Sequence, residues 1–80
     1  MTQDQAKKIA EDNNHLVGQR WKNMTSGEIE TVIDVKPIEL RKVNHGWAVT
    51  VVFIPVAENI NVKTREHFLD TFYNNYIKLN

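Results

Sequence analysis

Residues Trp47–Ile54 read WAVTVVFI, a run of β-branched and aromatic side chains. In an extended chain Trp47, Val49, Val51 and Phe53 project one way and Ala48, Thr50, Val52 and Ile54 the other. Both sides therefore ask for cover, which places this segment in the middle of a sheet. Pro55 has no backbone donor and stops it. Just upstream, Asn44-His45-Gly46 tolerates positive φ better than most tripeptides, so the segment is the return arm of a hairpin.

Working outward, the opposing arm is Glu28–Lys36, EIETVIDVK, the cleanest period of two in the chain. Ile29, Thr31, Ile33 and Val35 make one face; Glu28, Glu30, Val32, Asp34 and Lys36 make the other, which is expected to see water. Pro37 requires that strand to end, bulge or lie at an edge. Before it, Asn23–Gly27 (NMTSG) has the composition of a hairpin turn, and Leu16–Lys22 (LVGQRWK) reads as a short strand with Val17, Gln19 and Trp21 on one side. Gly18 in that strand signals a bulge or a close backbone approach. Thr2–Asn14 reads as a helix capped by Thr2 or Asp4, with Ala6, Ile9, Ala10 and Asn13 on one face.

Beyond Pro55, Glu58-Asn59 suggests a turn, Ile60–Lys63 a short strand, and Thr64 an N-cap for a helix opening at Arg65. Phe68, Phe72 and Tyr76 recur every four residues, as do Leu69, Tyr73 and Ile77. Either one helix runs to near Leu79, or a short helix ends at Asn74-Asn75 and Tyr76–Leu79 returns as an edge strand. The Asn pair and the alternation in Tyr-Ile-Lys-Leu favour the second. The fold expected is α+β in one domain over 1–80: an N-terminal helix over 1–14, then over 15–80 a small curved antiparallel sheet with a short C-terminal helix.

Composition bounds the rest. Eighty residues, 41% hydrophobic, support one marginal core. With no cysteine there is no disulfide framework, thiolate metal site or cysteine nucleophile. Ten basic and ten acidic residues cancel, so the whole chain lacks the cationic field typical of nucleic-acid or anionic-membrane binders. The longest apolar stretch, Trp47–Ala57, falls far short of the roughly 20 residues a spanning helix needs. Residues 1–9 hold no apolar run of the secretory kind, so no membrane role and a cytoplasmic location are expected.

Gly18-x-x-Trp21, Ser26-Gly27-Glu28, Ile29-x-Thr31-Val32-x-x-Val35, Val49-x-Val51-Val52 and Arg65-x-x-Phe68-Leu69-x-x-Phe72 follow one another in an order that resembles small, often uncharacterised, bacterial and phage domains with an SH3-like β-barrel. The resemblance spans about Leu16 to the C-terminus. It implies a Gly-x-x-Trp strand opening a barrel, a short helical turn before the last strand, and a bacterial or phage cytoplasm, but no activity.

Chemistry-bearing constellations are sparse. His15, His45 and His67 match no short metal-ligand spacing and read as surface or turn residues. Glu28, Glu30 and Asp34 form a row expected to be solvated, facing Lys or Arg on a neighbouring strand. Ser26 lacks a nucleophile-elbow context, and Gly18, Gly27 and Gly46 are isolated, so there is no phosphate loop. No catalytic residue, cofactor or metal is expected. The candidate interaction patch is the hairpin carrying Lys36, Arg41, Lys42, His45 and Trp47, with Trp21 as a second aromatic. The function expected is a non-enzymatic protein-interaction or regulatory accessory module; the alternative is a small nucleic-acid-binding domain using those basic and aromatic groups for phosphate contact and base stacking. A protein partner or self-association is favoured, a homodimer through helices or edge strands being one way to enlarge a marginal core.

Overall fold

The computed structural model describes residues 1–40, 46–55 and 63–79. Helix α1 (Gln3–Asp12) opens with a capping box: the Thr2 hydroxyl accepts from the Gln5 N–H, and the Gln5 side chain accepts from the Thr2 N–H. Ala6 and Ala10 are buried and Ile9 packs beside them, on the face that the sequence pattern indicates. Leu16, expected to start a strand, instead closes a single 3₁₀ turn (Asn14–Leu16) and is fully buried. Gly18 follows at φ +89°, and its N–H donates to the Val32 carbonyl at 2.8 Å. A Cβ there would meet nothing, so backbone conformation rather than space calls for glycine.

Five strands form one antiparallel sheet: β1 (Arg20–Asn23), β2 (Ile29–Glu39), β3 (Trp47–Pro55), β4 (Arg65–Phe68) and β5 (Tyr76–Lys78), in the order β4-β3-β2-β1-β5. Helix α2 (Leu69–Asn75) carries the chain from one edge strand to the other. The fold is thus α+β, and the tail turns from helix to edge strand at Asn75, as the Asn pair indicates. The sheet is open: among the described residues no pairing of β4 with β5 closes a barrel. None of the described helices is long and apolar enough to cross a membrane.

Two further expectations are corrected. Arg65 does not open a helix. Residues 65–68 are strand, paired with Phe53–Thr50 of β3, and α2 begins only at Leu69 without a side-chain cap. Completing the free edge of β3 outweighs the local capping signal of Thr64. The second correction concerns β2, whose faces are not those of its simple alternation. Ile33 is an extra residue: Val32 pairs with Phe53, but Asp34 pairs with Val52. This bulge reverses the phase, so Glu30 and Val32 before it and Val35 after it all point inward, while Ile29 and Ile33 lie exposed. Pro37 stays within β2, opposite Val49, beyond the stretch that β1 pairs.

The core is a single cluster that combines Ala6, Ala10 and Leu16 with Trp21, Val32, Val35, Val49, Val51, Phe53, Phe72 and Tyr76. By register all its strand residues share one face, the inner one, against which both helices pack. Phe72 of α2 stacks on Tyr76 at 4.8 Å between ring centroids and tilts against Trp21 at 4.9 Å. The expected strand over 60–63 lies, except for Lys63, outside the described residues.

Candidate functional site

The hairpin patch divides between the two faces of the sheet. Lys36 points outward beside Thr50 and pairs with Glu66 of β4 at 3.7 Å. Trp47 belongs to the inner face, half-buried against the core, with its N–H donating to the Met1 carbonyl at 2.9 Å. Arg41, Lys42 and His45 lie outside the described residues. Trp21 is buried under α2, its indole N–H donating to Gln19 Oε1 at 3.1 Å. The fold therefore separates Lys36 from Trp47 and seats Trp21 inside the core.

The acidic row is also divided. The bulge sends Asp34 to the outer face and keeps Glu30 inside at 1% exposure. Arg65, from the far side of β3, bridges Glu28 at 3.5 Å and Glu30 at 3.6 Å. Beyond that ion contact neither Glu30 oxygen has a hydrogen-bond partner among the described residues. The Tyr76 phenol lies in the same region, accepting from Asn23 Nδ2 at 3.2 Å. Burial first, and then the Glu30 carboxylate, push this phenol up to about 12; Asn23 opposes the shift. Asn23 also accepts from the Thr25 and Ser26 N–H groups, tying the β1–β2 turn to the last strand. Ser26 closes that turn by accepting from the Glu28 N–H. His67 stacks on Phe53 at 5.4 Å and has no side-chain hydrogen bond among the described residues. No group of three His, Asp or Glu with metal-site geometry occurs among the described residues.

What the sequence pattern missed is the outer face of the sheet. Because α1 and α2 both cover the inner face, the opposite one carries Ile29, Ile33, Phe68 and Ile77 exposed, the last at 53%. Between them lie Thr31, Thr50, Val52 and Ile54. Its charges are mixed: Arg20 and Lys22 on β1, Asp34 and Lys36 on β2, and Glu66 on β4, the last paired with Lys36. Among the described residues Arg20, Lys22 and Asp34 make no ion pair. The sequence signal for this surface was the apolar set Ile29/Ile33, misassigned to the core because the bulge leaves no mark in the alternation. Where β4 passes into α2, a surface cavity of about 320 Å³ is lined chiefly by Met1, Ile9, Leu40, Val49, Phe68 and Leu69.

Comparison with known proteins does not supply a function: no family model matches the chain, and neither a curated protein nor a solved structure does so.

Proposed function

We propose that this chain is a non-enzymatic interaction module that works by protein contact through the outer face of its sheet. The observation that carries this is the one-sided placement of the helices, which leaves four large apolar side chains exposed on the opposite face of a small domain. A sheet face with isolated aliphatic groups among Thr, Arg, Lys and Asp has the mixed polarity of a non-obligate protein interface. The SH3-like kinship stays part of the proposal: the Gly18-x-x-Trp21 segment and a short helix ahead of the last strand support it. It bears on connectivity and lends no activity.

The alternative, nucleic-acid binding by the hairpin, needs an aromatic platform. Trp21 is buried and Trp47 half-buried on the face opposite Lys36, which favours protein contact. Two measurements test the choice. A benzophenone amino acid in place of Ile77 is expected to give protein adducts in cells expressing the chain, and the same group in place of exposed Lys8 of α1 is not. Adducts from position 8 alone, or from neither, would overturn the assignment of the face. Amide and indole NMR signals are expected to stay unmoved on adding short single- or double-stranded oligonucleotides at low salt. Saturable shifts over residues 36–47 that vanish at higher salt would put nucleic-acid binding first.

A further inference from the structure

We infer that the two edges of the open sheet are tied to one another by side chains: Glu30 of the central strand accepts a hydrogen bond from the Tyr76 phenol of β5 while it pairs with Arg65 of β4, and so couples the edge strands. The curvature of the sheet supplies the geometry. In a flat sheet of the order β4-β3-β2-β1-β5 the edges would stand four strand spacings apart, about 19 Å. Here the His67 ring of β4 lies 6.0 Å from the Tyr76 ring of β5, and Phe53 of β3 lies 5.3 Å from that same ring. Side chains of the two edges therefore meet on the inner face although, among the described residues, β4 and β5 share no main-chain pairing. Arg65 belongs to that face opposite Phe53, and Tyr76 opposite Asn23.

Donors and acceptors match at Glu30. The phenol oxygen accepts from Asn23 Nδ2 at 3.2 Å, which leaves its own proton to give. Glu30 is 1% exposed and carries acceptors alone; Arg65 approaches at 3.6 Å as an ion contact, and neither oxygen has a hydrogen-bond donor among the described residues. Leaving a buried carboxylate so is costly, and a hydroxyl donor gives it a strong, charge-assisted bond. The resistance of the phenol to ionisation agrees, since burial and then Glu30 hold its proton in place. The consequence is a coupling between distant strands. β4 has four residues and β5 three, each paired along one side, and strands so short open locally at little cost. Tied to one carboxylate, they open together. Whatever draws Arg65 away at one edge thus loosens β5 at the other, and the reverse holds by the same amount.

Native-state hydrogen exchange read by NMR tests this. Tyr76→Phe keeps the ring and removes the donor, and is expected to speed exchange of the β4 amides about tenfold or more beyond any change in the β2–β3 ladder. Arg65→Ala is expected to do the same to the β5 amides. Helix α2 also joins β4 to β5, and Glu30→Met distinguishes the two routes. In that background both cross-sheet effects are expected to fall to about twofold or less. Effects that persist there would assign the coupling to α2, and effects confined to the substituted strand would remove it; either result overturns the inference. If every amide exchanges only through global unfolding, urea denaturation decides in the same backgrounds. The drop in folding constant on Tyr76→Phe is then expected to be about fivefold or more larger with Glu30 present than in Glu30→Met, the lost Asn23 bond being common to both. An equal drop in the two would overturn the inference. Should Glu30→Met not fold, Glu30→Leu takes its place.

Discussion

The two halves of β2 obey the same alternation and reach opposite results. Before the bulge, from Ile29 to Val32, the strand turns its isoleucine outward and buries a carboxylate; after it, the strand turns Asp34 and Lys36 outward and buries Val35. One inserted residue, Ile33, accounts for the difference. Without it, Val32 and Val35 could not both face the helices, because side chains three apart on a regular strand lie on opposite sides. The core gains both valines, and the carboxylate of Glu30 goes in with them, with Arg65 across β3 as its ion-pair partner among the described residues. The lesson is that apolar periodicity identifies a strand far better than it identifies the strand's inner face.

Deleting Ile33 is expected to have the largest effect. It forces a regular strand, which must expel either Glu30 and Val32 or Val35 and Pro37 from the inner face, and so small a domain is expected to lose its dispersed NMR spectrum. Next in size, Phe53→Ala empties the centre of the inner face, where the ring contacts His67, Phe72 and Tyr76. A loss of about 3–5 kcal/mol is expected in urea denaturation, enough to unfold much of the population.

Arg65→Ala leaves the buried carboxylate without its cation and is expected to cost about 1–2 kcal/mol, less than for a fully buried pair because Arg65 is half exposed. Glu30→Met replaces the charge by an apolar chain of similar length and is expected to be neutral or stabilising. In that background Arg65→Ala should lose most of its effect, and the double-mutant cycle in urea measures how much. A large penalty for Glu30→Met would show that the carboxylate holds the register rather than merely accompanying it.

The same neighbourhood predicts an alkaline limb. The Tyr76 phenol titrates at about 12 in the folded chain against an ordinary value of 10.0. The native state therefore holds its proton more tightly, and this contribution is complete below pH 10 and lost as the pH rises from 10 to about 12. Denaturation midpoints across that interval should fall more steeply for the parent than for Tyr76→Phe, and the tyrosinate absorbance of the folded chain should lag that of the unfolded one. Smallest of all, Ile77→Lys on the outer face is expected to shift stability by no more than about 0.5 kcal/mol, which separates that face from the inner one by an order of magnitude.

Local chemistry made several elements legible. Thr2 with Gln5 marks the start of α1, Asn23 with Gly27 marks the turn, and Asn74-Asn75 marks the place where helix gives way to the last strand. Each acts through neighbours within a few residues, so the sequence displays both partners. The candidate site was less legible. Lys36 and Trp47 are close along the hairpin yet on opposite faces, a division that follows from how β2 and β3 are registered. Trp21 beside Glu30 would have disclosed the buried carboxylate, but only to a reader who already knew that the turn pairs those two residues.

The kind of element at most positions, and the absence of cysteine chemistry from this chain, thus depend on residue identity and short-range spacing. Long-range packing sets which side of each strand is inside, makes Arg65–Phe68 strand rather than helix, and puts both helices on one face, leaving the other without helical cover. The physical reason is that a face acquires meaning only when something packs on it. A strand presents two faces of comparable apolar content, and the choice between them is made by partners tens of residues away.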